Sequence, residues 1–364
     1  MKKSKRRATI WTALKIGVLV VAVVLALIPF PAGWVERFYS RGIYPWVQSW
    51  LTPLTNRISF SVGDVLLIAL ALAFPIWWII RIKSARGKRR GAVGSLFLKS
   101  LVAIAIIYLA FLVLWGFNYQ RLPLMAKLDY DEARLTEDAR YGLLRTTIER
   151  LNTDSESAHS LEWPSEERWR SQLLDGFNRI VIQLGNRRGI APAVPKTSLT
   201  DVLLGKTGVG GFTNPFGLEV ILNSDLLPIE RPFTVAHEWA HLAGFADEAE
   251  ANFIALLACG ASETPAIRYS AWLALFPYLQ LHERPARPED RLPQLAPEVI
   301  ADLHAIAERA SRRMSPKMSE VQGRVYDGFL KANRVQGGIG SYGLFVRLML
   351  GTRFETEWVP ARRN

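Results

Sequence analysis

Residues 234–253, TVAHEWAHLAGFADEAEANF, are either an ordinary polar helix surface or the frame of a metal site. They hold His237 and His241, two of the five histidines in 364 residues, and then Asp247, Glu248 and Glu250. Histidines four apart share one face of a helix, so their imidazoles can grip a single Zn²⁺. Glu238 is turned about 100° from His237 on the same helix, where it reaches a water on that ion without ligating it. This division of labour suits metal-assisted hydrolysis. The metal acidifies water and polarises a carbonyl, while the carboxylate carries the proton to the leaving amine. HExxH is a short pattern that also arises by chance, so its weight depends on lying on a helix behind a strand-like segment, as it does here.

A catalytic zinc site wants a third protein ligand and an open position. Gly244 is placed to end the first helix. Asp247 then reads as the N-cap of the next helix, with Glu250 three residues on completing a D-x-x-E capping box. That leaves Glu248, in the first turn, to face the histidines as the preferred third ligand. Glu250 and Asp247 stay open, the latter because HEWAHLAGFAD also fits H-E-x-x-H-x-x-G-x-x-D. Asn252, one turn beyond Glu248, is placed to hydrogen-bond the distal nitrogen of a ligand histidine and fix its tautomer.

Outward from this stretch the chain is 49% hydrophobic, with a mean hydropathy of +0.10. The apolar residues cluster in three uncharged runs: Ile16–Phe30, Val65–Ile80 and Leu101–Phe117. With their flanks each reaches the roughly 20 residues that cross a bilayer, which predicts spans over about 11–31, 63–81 and 99–118. The first is an uncleaved anchor rather than a signal peptide, since PFPAGW supplies no small-x-small cleavage pattern. The N-terminus carries Lys2, Lys3, Lys5, Arg6 and Arg7, and the second loop, RIKSARGKRRGAVGSLFLKS, carries seven Lys and Arg and no acid. The first loop, residues 32–63, is poor in Lys and Arg. The positive-inside rule therefore predicts a cytoplasmic N-terminus and places everything after residue 120 outside the cytoplasmic (inner) membrane. On this reading the net charge of +12 is mostly a topology signal and calls for no nucleic-acid partner. The single cysteine, Cys259, reads as a small buried residue on a helix.

The sequence divides into a membrane part, 1–119, and a polar domain, 120–364. The first loop, rich in Trp46, Trp50, Tyr44 and Phe60, is too apolar for a free linker and lies along the membrane surface or packs under the outer domain. Helical periodicity runs through 130–153 and 165–189, the second ending at Gly189, and helices are expected near 232–244, 248–260, 265–281, 296–313 and 319–333. Residues 197–223 predict two short strands and a turn. Within them LLGKTG lacks the first glycine of a phosphate loop, because position 200 is Thr200. GLEVILN, 217–223, is a candidate edge strand for pairing with an extended peptide, or an ordinary sheet strand. Tyr342, in GSYG, is either a donor to a developing oxyanion or a turn residue. His159, His282 and His304 read as surface or structural residues.

HEWAH followed by EAEAN resembles the gluzincin pattern, HExxH then ExxxD, with Asn252 in place of the usual Asp. The chain as a whole resembles an uncharacterised family of bacterial membrane proteins with three N-terminal transmembrane helices and an HExxH domain. It does so through WGFNYQRLPL, NPFGLEVILN, HEWAHLAGF, EANFIALLAC and GSYGLFVRLML. The resemblance implies a mainly helical α+β zincin-like domain with a small sheet. Its implied activity is that of a zinc metallopeptidase acting on a peptide or membrane-proximal protein segment at the outer membrane face. A zincin-fold signalling receptor without turnover is the rival, and retention of Glu238 beside both histidines favours the enzyme. Proteolysis within the membrane is excluded, because RPFTVAHEWAHLAGFADEAE is too polar to span.

Overall fold

The computed structural model describes residues 2–85, 89–160, 163–279, 291–333 and 342–363. Three helices dominate the N-terminal third: α1 (Lys2–Leu27), α4 (Val62–Ser84) and α5 (Arg89–Leu114). Their apolar stretches, Thr9–Leu27, Val62–Ser84 and Gly91–Leu114, are each long and apolar enough to cross a membrane. Protein covers little of them: 6%, 0% and 28% of the respective windows is buried. Helices apolar on every side and left uncovered are matched to lipid. The expected ends shift slightly. α1 stops at Leu27, ahead of Pro29 and Pro31, and the third span ends at Leu114 rather than 118. There Trp115 leaves the helix, and its indole N–H donates to the His241 carbonyl at 2.9 Å.

α4 leaves the body of the protein and α5 returns to it, so Leu27, Val62 and Leu114 all lie at the body's side. Between α1 and α4 run α2 (Ala32–Trp34), a π-helical segment (Val35–Ile43) and α3 (Tyr44–Asn56). One face of α3 is buried and tied down. Tyr44 donates to the Leu242 carbonyl at 2.8 Å, Gln48 to Ala191 at 2.7 Å and Thr52 to Leu218 at 2.9 Å. The opposite face exposes Ile43, Trp46, Trp50 and Leu54. The first loop thus packs under the body on one side and shows an apolar stripe on the other.

The body is built around α10 (Glu248–Gly260), a helix apolar on nearly all sides and buried from Ala249 to its end. Around it pack α7 (Glu166–Gln183), α9 (Arg231–Leu242), α11 (Pro265–Leu275) and α14 (Tyr342–Gly351), with α6 (Glu137–Ser160) outside α11. Residues 197–223 hold more than the expected hairpin: β1 (Lys196–Thr197) and α8 (Asp201–Thr207) precede β2 (Gly211–Asn214) and β3 (Glu219–Leu222). The sheet order is β1-β3-β2, with β1 parallel and β2 antiparallel to β3. GLEVILN is therefore the central strand and not an edge. Its run Val220–Ile221–Leu222 is buried throughout, as a strand covered on both faces requires. The edge beside the cleft is β2.

Other helix limits move for local reasons. α7 ends at Gln183 instead of Gly189, because Gly185 takes a left-handed φ of 107° and the Asn186 N–H returns to the Val181 carbonyl at 3.0 Å. α11 gives way at Leu275 to a 3₁₀ turn, and positions 280–281 of the expected helix lie outside the described residues. After α12 (Pro297–Arg313), α13 (Pro316–Ala332) starts earlier than 319, because Ser315 caps it by accepting the Met318 N–H. A hairpin of β4 (Phe354–Thr356) and β5 (Val359–Pro360) closes the chain.

Candidate metal centre

α9 and α10 meet at a tight corner. Gly244 adopts φ 85°, the Phe245 N–H bonds to the Ala240 carbonyl at 3.0 Å and the Gly244 N–H to His241 at 3.0 Å. This Schellman closure suits glycine alone, since a side chain there would meet Asn118 as well as the strained φ. Asp247 then caps α10, accepting the N–H groups of Ala249 at 2.9 Å and Glu250 at 3.1 Å. The capping box is not completed. Glu250 turns away and accepts the Leu124 N–H at 2.6 Å. Burial, with the Asp247 charge beside it, pushes its carboxyl up to about 7. Both acids are committed elsewhere.

Glu248 faces the histidines. Its carboxylate lies 3.1 Å from His237 Nε2 and 3.6 Å from His241 Nε2, and the two Nε2 atoms are 3.1 Å apart. A tetrahedral ion with bonds of about 2.0–2.1 Å sets its ligand atoms roughly 3.3 Å apart, so this triangle has the right size for Zn²⁺. The proton positions fit as well. His241 Nδ1 donates to the Phe245 carbonyl at 2.8 Å, which leaves the Nε2 lone pair pointing into the triangle. His237 Nδ1 sits 2.8 Å from Asn252 Oδ1, with the same consequence. Among the described residues, His237, His241 and Glu248 form the one His/Cys/Asp/Glu group able to hold a metal.

Without an ion the three groups act on each other. Burial would depress the His241 imidazolium, but the Glu248 carboxylate outweighs it and lifts the group to about 9. Burial also opposes charge on Glu248, yet the two imidazoles hold its carboxyl well below the usual range. Glu238 is nearly sealed, and burial raises its carboxyl despite both histidines. The Thr213 hydroxyl donates to Glu238 Oε2 at 2.8 Å and fixes that carboxylate against β2. A carboxylate that is buried, raised and pinned beside the triangle is suited to carry a proton.

The site opens into a cleft of about 810 Å³ between α9, β2, α8 and α13. Two tyrosines missed in the sequence line it: Tyr119, and Tyr326, whose hydroxyl donates to Glu248. Burial, then the Glu248 charge, raises the phenol of each. Neither tyrosine has a local signal, since each reaches the site only by long-range packing. Tyr342 opens α14, and the expectation for its side chain falls outside the described side chains. His159 bonds to Asp302 at 2.9 Å and His304 is exposed on α12, both away from the cleft. His282 lies outside the described residues. Cys259 is buried in α10, where burial raises its thiol.

A family profile described as a protein of unknown function (DUF3810) matches residues 39–350. The chain belongs to the DUF3810 family. The matched region of this DUF3810 protein takes in α3, α4, α5 and every residue of the His–His–Glu triangle. No curated protein matches the chain, and no solved structure does.

Proposed function

We propose that this DUF3810 protein is a membrane-anchored, zinc-dependent peptidase with a gluzincin-like site, working at the outer face of the cytoplasmic membrane. The carrying observation is the triangle of His237, His241 and Glu248, with the buried Glu238 beside it. When bound, zinc would acidify a water and polarise the scissile carbonyl. Glu238 would take the proton of that water and hand it to the leaving amine, with Thr213 keeping its carboxylate in place. Asn252 and the Phe245 carbonyl hold the imidazoles in one tautomer, and β2, an edge strand among the described residues, offers a line along which an extended peptide can lie. The Lys/Arg-rich start of α1 and the end of α4 that carries Arg81 and Lys83 lie at the far ends of the apolar helices from the body, which supports an extracytoplasmic site.

One observation favours a second reading, a receptor that transmits a signal without turnover. Trp115, at the end of α5, holds the carbonyl of the ligand-helix residue His241. The two readings part in a single experiment on the full chain in lipid nanodiscs, measuring bound zinc and cleavage of a peptide library. The wild type should hold one zinc per chain and cleave. The double variant His237→Ala/His241→Ala should hold none. Glu238→Gln should keep the zinc and lose roughly 10² to 10⁴-fold in cleavage. Zinc retained by the double variant would refute the ligand set. Full zinc with no cleavage by the wild type would favour the receptor.

A further inference from the structure

Where the apolar helices join the body, exposed apolar side chains continue onto the body itself. Leu199, Val202 and Leu203, at and before α8, are 57%, 61% and 49% exposed. On α13, Met318, Val321, Val325 and Phe329 recur at steps of three and four, so they form one stripe along the helix. A second face of α13 carries Glu320, Arg324, Asp327 and Lys331, paired with one another at i,i+4. A third, with Gln322 and Tyr326, lines the cleft. In the stripe Phe329 packs on Phe111 and Tyr119, while Val321 and Val325 stay 42% and 68% exposed. α8 and α13 are joined, since the Ser315 N–H donates to the Lys206 carbonyl at 3.0 Å.

Two contacts fix the height of this pair relative to the apolar helices. Asp64, in the first turn of α4, accepts the Leu199 N–H at 2.6 Å and the Ser198 hydroxyl at 2.8 Å. Leu199 therefore stands where α4 begins its uncovered apolar stretch. Phe329 packs on Phe111, near the end of the apolar stretch of α5, with ring centroids 6.1 Å apart. α3 likewise turns Trp46 and Trp50 outward, the latter 77% exposed. Tryptophans beside spanning helices, and helices split into one apolar and one charged face, are the marks of a lipid interface.

We propose that the apolar face of α8 and α13 is seated in the bilayer leaflet on the body's side, as an interfacial helix pair. Leu203 and Phe329 belong both to that face and to the cleft lining, so the mouth of the cleft then opens at the lipid surface. Resting on the peptidase reading, this narrows the substrate class to polypeptides tethered at the membrane, whose cleavable segment arrives along the interface. The docking itself depends on neither zinc nor turnover.

The test uses the full chain, whose one cysteine, Cys259, is buried and slow to label. A thiol-reactive environment-sensitive dye is placed at V325C, V202C, I68C in α4 and E320C on the charged face. The chains are put in nanodiscs of phosphatidylethanolamine and phosphatidylglycerol with nitroxide-bearing lipids. Quenching at positions 325 and 202 should reach about half or more of that at position 68, with shallow nitroxides most effective, while position 320 answers mainly to aqueous iodide. If 325 and 202 behave like 320, the face lies in water and the proposal falls. Shielding from iodide without lipid quenching, growing with the number of chains per disc, would also overturn it, in favour of a second copy of the chain. Either failure leaves the zinc stoichiometry and the cleavage assay untouched, so it is distinguishable from failure of the peptidase reading.

Discussion

From Ala249 to Gly260 every residue of α10 is buried, whereas in α13 only Leu330 is, yet both helices face the same cleft. The wall that carries the metal-ligand candidates is fixed from behind. The carbonyls from His241 to Gly244, at and just past the end of α9 where the helix ladder runs out, each receive a side-chain donor. Trp115 holds His241, Tyr44 holds Leu242, Asn186 holds Ala243 and Arg121 holds Gly244. Arg121 is in turn gripped at two nitrogens by the buried Glu36 carboxylate. Three of these four donors come from the first loop and the segment that follows α5. The other wall has one polar contact with the triangle, from Tyr326, and otherwise presents apolar and solvated faces. The ligand candidates thus sit on the rigid wall, and the wall across the cleft is the more loosely held one.

The largest expected effect breaks the rigid wall. Arg121→Ala removes a helix-end donor and strips Glu36 of its bidentate partner. Loss of one member of a buried pair costs about 3–5 kcal/mol, and the low end applies because Lys127 still reaches Glu36 at 3.1 Å. Thermal unfolding in nanodiscs should show it as a large fall in Tm. A shift equivalent to less than about 1 kcal/mol would mean that the end of α9 is held by something else.

The next effect is pH-dependent and belongs to the metal-free protein. His241 is lifted to about 9 from an ordinary 6.5 by Glu248, so its protonated form favours the fold. That contribution is complete below about pH 6.5 and is lost as pH rises through 9. Chelator-treated protein should therefore lose melting temperature between pH 6.5 and 9.5, and His241→Gln should flatten the slope. Zinc requires the neutral imidazole, so the Tm gain on adding zinc should grow over the same range. A gain independent of pH would separate His241 from the metal.

Smaller still is the contribution of the loosely held wall to the site. Tyr326→Phe deletes one hydroxyl donor to Glu248 and should weaken zinc binding by about 10-fold, read by competition with a fluorescent chelator. The same variant should leave stability within about 0.5 kcal/mol of wild type. A large loss of stability would show that α13 supports the fold as firmly as α10 does. Smallest of all is Glu320→Ala, which breaks an exposed pair with Arg324 at 3.8 Å and should change stability by less than about 0.5 kcal/mol.

What could be read along the chain was whatever depends on near neighbours. The i,i+4 spacing set His237 and His241 on one face, Gly244 and Asp247 marked the corner between α9 and α10, and three uncharged runs marked the three apolar helices. Near the corner the sequence could also narrow the acids to three, because caps and first turns obey local rules. It could not choose Glu250's partner, since the Leu124 N–H arrives from 126 residues away and draws Glu250 out of its capping box. Nor could it tell the central strand from the edge, because β1, whose pairing with β3 settles that, is only two residues long. Thr213, Tyr326 and Trp115 carried no signal for the same reason. Each reaches the site from 25 to 126 residues away through packing of whole elements. Periodicity fixes which way a side chain leaves its own helix or strand. Which element it then meets depends on how the apolar faces of the whole chain are buried together, and only the tertiary structure decides that.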